Sequence, residues 1–180
     1  MKVNKLRFCG VVQRYSNGVE LLKHPGDCVI VERGVPRSVL IRCPDGCGDT
    51  ISVNLDGRSG PAWRKYERKG KITLYPSVWK QDGCRAHFIV WNDEILWCGA
   101  YGAARVERIS EGWIASVLAS LPTESTDHRI LAERLDAVPW DVYWACEELV
   151  RRHQAAKGKQ EGHYLCILGS STQGRISIRV

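Results

Sequence analysis

No apolar run in the chain approaches the roughly 20 residues that a membrane-spanning helix needs. The opening stretch Met1-Lys2-Val3-Asn4-Lys5-Leu6-Arg7 lacks the apolar core of an export signal. A membrane partner is therefore not expected, and a cytoplasmic setting is. Internal repeats and low-complexity tracts are absent, which argues against solenoids and disordered tails. Cationic residues are dispersed rather than gathered in a long run, so nothing here resembles a basic arm for nucleic acid. There is no paired C-x-x-C either, so the regular spacing of a zinc ribbon is missing.

What is present is an ordinary globular composition. The 180 residues are 44% hydrophobic and 26% charged, enough to bury a core in one domain or in a domain with an appendage. The formal charge of +6 permits attraction to an acidic protein or to nucleic acid without selecting either. Eight cysteines would read as disulfides in a secreted chain, but in a reducing compartment a cluster of them points to metal.

The pattern divides the chain into residues 1–102 and 103–180. The first part reads as short strands between turns. Cys28-Val29-Ile30-Val31-Glu32 and Ser38-Val39-Leu40-Ile41-Arg42 are β-branched runs expected to be neighbours, followed by Thr50–Leu55 and Lys71–Tyr75. Ala86–Trp91 and Glu94–Cys98 form an expected hairpin around Asn92-Asp93. The second part is mainly helical. Ile114, Val117, Leu118 and Leu121 recur at helical spacing up to Pro122, and Ile130, Leu131 and Leu135 mark a second helix. A third begins at Pro139, with Val142, Cys146, Leu149, Val150 and His153 on one face, and runs to a polar linker over residues 156–160. Residues 164–168 and 176–180 are expected to close the chain as a hairpin. The fold class expected is α+β: a small zinc-bound antiparallel β domain followed by a helical extension.

Cys43-Pro44-Asp45-Gly46-Cys47-Gly48 sets two thiols on a tight turn whose glycines can take the positive φ that aims backbone N–H groups at sulfur. Cys84 follows after thirty-six residues, and Cys98 after thirteen more, at the open end of the expected hairpin. Cys43, Cys47, Cys84 and Cys98 therefore read as one closed, structural Zn2+ site, with Cys98 the least secure ligand and His87 its possible replacement. Cys9, Cys28, Cys146 and Cys166 read instead as small buried hydrophobes.

Cys43-Pro44-Asp45-Gly46-Cys47-Gly48, Pro61-Ala62-Trp63, Leu74-Tyr75-Pro76-Ser77-Val78, Cys84-Arg85-Ala86-His87-Phe88 and Trp97-Cys98, in that order, resemble a bacterial family. It was long labelled a domain of unknown function, and some members are encoded beside ubiquitination-like (Bub-type) conjugation operons. The resemblance covers about Pro25 to Gly99. It implies a zinc-containing serine peptidase that trims or releases a ubiquitin-like protein, with antiviral defence as a setting and the protein's conjugates or E1/E2-like enzymes as partners. The family motif reads Cys-x-Ser-His-aromatic, so the expected nucleophile position is occupied by Ala86. Either this is a natural inactive or divergent member, or a serine-to-alanine replacement has been engineered; with that serine as nucleophile, the chain as given would be inactive.

Serine hydrolysis needs a hydroxyl, a base and oxyanion donors. His87 is the best base, with Asp49, Asp82 or Glu94 available to orient its ring. Ser77, held after Pro76 among aromatic residues, is the reserve nucleophile; its bland reading is a turn serine bonded to nearby backbone. On a regular strand Ala86 shares a face with Cys84 while His87 points the other way, so an 86–87 dyad would require a bulge. The seven tryptophans can line a peptide groove or simply pack the core. Arg58, Arg64, Lys65, Arg68, Lys69 and Lys71 surround Trp63 and Tyr66 as the densest basic patch. That patch supports the competing reading, a noncatalytic zinc-ribbon-like module binding nucleic acid or protein. A metallopeptidase would need an open metal position, which four cysteine ligands would deny.

Overall fold

The computed structural model describes residues 2–98 and 109–167, and the chain divides into two compact units, Met1–Tyr101 and Gly102–Val180. The fold is mixed α+β. In the first unit, strands β1 (Arg7–Val12), β2 (Asp27–Arg33), β3 (Val35–Arg42) and β4 (Thr50–Asn54) make one sheet in the order β1-β2-β3-β4. The β1–β2 pair is parallel and the other two are antiparallel, so the expected purely antiparallel domain gains one parallel edge.

Both faces of β2 and β3 are buried, which explains their continuous apolar runs. Cys28, Ile30, Val39 and Ile41 face the main core; Val29, Val31 and Leu40 face a second cluster with Val19 and Leu22. Val19 belongs to α1 (Tyr15–Leu21), a helix that the sequence pattern does not announce. Its N-cap, Arg14, makes no side-chain capping bond, so its stability comes from packing rather than local signals. Gly18 permits the close approach: a Cβ there would stand 2.8 Å from Leu40 Cδ1.

The main core is closed by β5 (Arg64–Arg68) paired with β6 (Lys71–Tyr75), and by a sheet in the order β7-β8-β9. Its strands are β7 (Val78–Trp79), β8 (His87–Trp91) and β9 (Glu94–Trp97). The β8–β9 hairpin turns on Asn92 and Asp93, whose φ values of 52° and 62° give the two consecutive left-handed residues of a tight hairpin. Asp93 also exchanges main-chain and side-chain bonds with Ile72 at 2.9 and 2.8 Å, tying the turn to β6.

Asp27 braces the start of β2. Its carboxylate accepts from Arg7 Nε at 2.7 Å and from the N–H groups of Lys23 and His24 at 2.9 and 2.8 Å. Burial pushes its pKa up, but these donors outweigh burial and hold it below the usual carboxylate value. A depressed folded pKa adds stability above the unfolded value, about 4, that is lost as pH falls through the folded value. Acid unfolding of Asp27→Asn, followed by circular dichroism, should therefore show a shallower loss of stability below about pH 4 than the parent.

The second unit holds α2 (Glu111–Ser120), α3 (His128–Arg134) and α4 (Pro139–Arg151), with β11 (Ala155–Lys157) and β10 (Thr126–Asp127) on either side of β12 (His163–Cys166). Ser110 caps α2 and Asp127 caps α3, each accepting a backbone N–H. The fully buried Glu148 of α4 is held by Arg151 and Arg152, and Arg152 also grips Glu111 at the start of α2. Helix α4 ends at Arg151 rather than continuing to the polar stretch. His153 takes φ 58°, and the N–H groups of His153 and Gln154 bond Val150 O and Leu149 O, a Schellman stop. The expected linker over 156–160 accordingly begins within β11. The expected terminal hairpin keeps its first strand as β12, while residues 168–180 lie outside the described residues. His153→Gly should raise the midpoint of thermal unfolding by relieving a left-handed non-glycine residue, a gain of about 1 kcal/mol.

Candidate active site and metal centre

Two turns bring three thiols together. The first follows β3, where Gly46 and Gly48 take φ 90° and 89°; Cys43 N bonds Asp49 O at 2.8 Å, and Gly46 N bonds Cys43 O at 3.1 Å. The second leads into β8, where Gly83 and Arg85 take φ 58° and 52° and Arg85 N bonds Asp82 O. In each turn the N–H two residues beyond the cysteine, from Asp45 and from Ala86, points at the sulfur. The ligand atoms of Cys43, Cys47 and Cys84 all lie within 4.8 Å of one another, and Cys43 Sγ is 3.6 Å from Cys84 Sγ. Tetrahedral zinc–thiolate bonds would set sulfurs about 3.8 Å apart, so the donor set fits such an ion.

Burial pushes the Cys43 thiol up. Cys84, also raised by burial, nevertheless ends below its usual value through bonds from Ala86 N–H, Cys47 and Cys43. A metal ion bound here would take the three as thiolates. Cys98, half-buried after β9, is not part of this group; its N–H bonds His87 O at 2.9 Å. Cys28 and Cys146 are fully buried as expected of small hydrophobes, with burial pushing the Cys146 thiol up to about 12, whereas Cys9 and Cys166, expected to be buried too, are only half-buried.

The alternation of β8 separates Ala86 from His87. Ala86 is 4% exposed and packs in the main core beside Cys43 and Phe88, whereas His87 faces the opposite side. There its Nε2 lies 3.1 Å from Ser77 Oγ. Ser77 reaches the ring because β7 runs antiparallel to β8, with Trp79 opposite His87. Lys80 N bonds Ala86 O at 2.8 Å, which makes Trp79/His87 a pair without mutual main-chain bonds, the kind whose side chains approach most closely. The Trp79 ring accordingly lies over His87, with centroids 5.8 Å apart at 33°. On the other side, Trp63 Nε1 donates to Ser77 O at 3.2 Å and holds the serine's main chain.

An 86–87 dyad is therefore absent, for the strand geometry that makes it require a bulge. The expected acids do not orient the imidazole either. Asp49 and Asp82 both pair with Lys80, at 3.1 and 2.5 Å, and none of Asp49, Asp82 and Glu94 bonds the His87 ring. With Nε2 turned to Ser77, His87 stands apart from the thiol cluster rather than replacing Cys98. Of the tryptophans, Trp63 and Trp79 touch the pair, while Trp91 and Trp97 are buried in the β8–β9 hairpin. In the basic patch, Arg58 pairs with Asp56 and Lys65 with Glu67. The roles of the Ala86 N–H and of Trp63 Nε1 were invisible in the sequence, although Trp63 stands in one of its quoted motifs.

A serine hydroxyl within hydrogen-bond reach of an imidazole sets a nucleophile beside a base, and three clustered thiols could hold a metal ion. Residues 14–98 match the model of the family described as the bacterial ubiquitination-like system serine protease, BubE. The match lies wholly in the first unit and is to the same kind of family that the sequence motifs resemble. No curated protein and no solved structure matches the chain.

The cluster carries its own prediction. Purified protein should contain one metal ion per chain, and Cys43→Ser or Cys84→Ser should lose it together with the folded first unit. Cys98→Ser, which leaves the three-thiol group intact, should weaken binding without abolishing it. Metal analysis beside circular dichroism checks both, and a well-folded metal-free parent protein would refute the assignment.

Proposed function

We propose that the first unit is a serine-type peptidase that cuts at the C-terminal tail of a bacterial ubiquitin-like protein, processing the precursor or releasing its conjugates. The observation that carries this reading is the 3.1 Å contact between Ser77 Oγ and His87 Nε2, within the stretch matched by the family. Ser77, rather than position 86, is the nucleophile. Its Oγ attacks the tail carbonyl while His87 takes the hydroxyl proton and passes it to the leaving amine. Water then cleaves the acyl-enzyme, with His87 again as base. The thiols of Cys43, Cys47 and Cys84 would hold Zn2+ and tie β3 to the start of β8, and Cys98, which stands outside their group, would complete the tetrahedron only by moving to them. With thiolate ligands the bound ion would supply a structural brace and no activated water.

An alkyl fluorophosphonate tests the pair without knowledge of the substrate. Ser77 Oγ forms the O–P bond, fluoride leaves, and the proton goes to His87. Mass spectrometry should find one adduct, on Ser77; Ser77→Ala should abolish it, and His87→Ala should slow labelling roughly 10⁴-fold. Ala86→Ser should neither move nor increase the label. An adduct that persists in Ser77→Ala, or none in the parent protein, overturns this reading.

A further inference from the structure

Strand β7 is the outer strand of its sheet and carries the serine at its entrance. Antiparallel ladders alternate pairs that exchange main-chain bonds with pairs that do not. Lys80 bonds Ala86, and on the far side of β8 Cys98 N bonds His87 O, so His87 spends its main-chain groups on the β9 side. Opposite it, the N–H and C=O of Trp79 therefore point away from β8, toward the open edge. Ser77, two residues earlier, points its main chain the same way, and its C=O meets Trp63 Nε1 there. Among the described residues nothing bonds the main chain of Trp79 at this edge or the N–H of Ser77. The Trp79 side chain is 61% exposed beside them.

We propose that this edge is the substrate cleft: an extended peptide adds to β7 as a further strand, its main chain bonded by Trp79 and its scissile carbonyl brought to Ser77. The inference rests on the reading of Ser77 and His87 as a peptidase pair. It adds how the substrate is held and which class qualifies. A single N–H and C=O directed outward from one strand residue, beside a further N–H two residues away, match the spacing of an extended backbone and not of a compact small molecule. The indole supplies apolar contact to one substrate side chain. Recognition through the main chain suits a flexible protein tail, which can take the extended form without unfolding a domain. The Ser77 N–H, directed to the same edge, is the candidate donor to the developing oxyanion.

Peptidyl phosphonates test the cleft separately from the pair. Acetyl-Ala-Ala-Ala diphenyl phosphonate places a phosphorus atom where the scissile carbonyl would sit. Ser77 Oγ forms the O–P bond, phenoxide leaves, and the proton goes to His87. Three analogues each carry one N-methylated amide. Strand addition predicts a period of two: methylation of an amide that faces Trp79 slows labelling about tenfold, the value of one main-chain hydrogen bond, while methylation of its neighbour changes it little. Hydrogen exchange gives a second readout, because the amide of Trp79 should be protected in the peptidyl adduct and not in the alkyl fluorophosphonate adduct. Equal rates for all the peptidyl probes, with Trp79 unprotected and Ser77 still labelled by the fluorophosphonate, overturn the cleft and leave the peptidase reading standing. No label on Ser77 from either reagent overturns both.

Discussion

Cys43 and Cys84 lie 3.6 Å apart although they are 41 positions apart in the sequence, and this contact fixes where β8 begins. The turn that delivers Cys84 passes through left-handed Arg85 and spends the Ala86 N–H on the sulfur, so the strand leaves the cluster with its phase already set. From that phase follow Ala86 in the core, His87 on the other face and Trp79 opposite His87. The chemistry proposed for Ser77 is thus downstream of a sulfur cluster that takes no part in it. Zinc at this point would do what a disulfide does in an oxidising compartment, tying two distant segments where a small β core is otherwise thin.

The same phase resolves the difficulty posed by position 86. A strand cannot present adjacent residues to one ligand without a bulge, and β8 has none between Ala86 and His87. The hydroxyl that meets the imidazole comes instead from the neighbouring strand, ten residues earlier. A site assembled across strands draws its geometry from the ladder, and Trp63 and Trp79 then immobilise serine and imidazole from two sides. No third carboxylate joins the proposed pair from Asp49 or Asp82, because both are committed to Lys80.

Much of this was legible in the sequence because its signals are local. The β-branched runs of β2 and β3, the Asn92-Asp93 hairpin, the glycine turn around Cys47 and the Pro139 helix start all declare themselves within a few residues. What was not legible depended on packing. Helix α1 has no cap and little periodicity and exists because Gly18 lets it approach Leu40. Strand β5 is a charged run that pairs only because β6 lies beside it. The end of α4 at His153 rests on a left-handed non-glycine residue, which no composition rule announces. At the site, the residues offered both members of the Ser77–His87 pair, while the family motif put position 86 ahead of Ser77; the contact between Ser77 and His87 depends on cross-strand register, which one strand alone does not carry.

Lys80 adds a consequence of another kind. Its ammonium, only 13% exposed in side-chain terms, bonds Asp49, the Asp82 side chain and the Asp82 carbonyl, and so gathers the loop between β7 and β8 into a compact knot. This loop is the stretch of the protein's own chain that leads directly out of the proposed cleft. Knotted on Lys80 and anchored at Cys84, it cannot straighten into an additional strand. If the proposed cleft selects extended backbone, this knot would set the protein's own chain apart from foreign tails by shape, without any sequence preference.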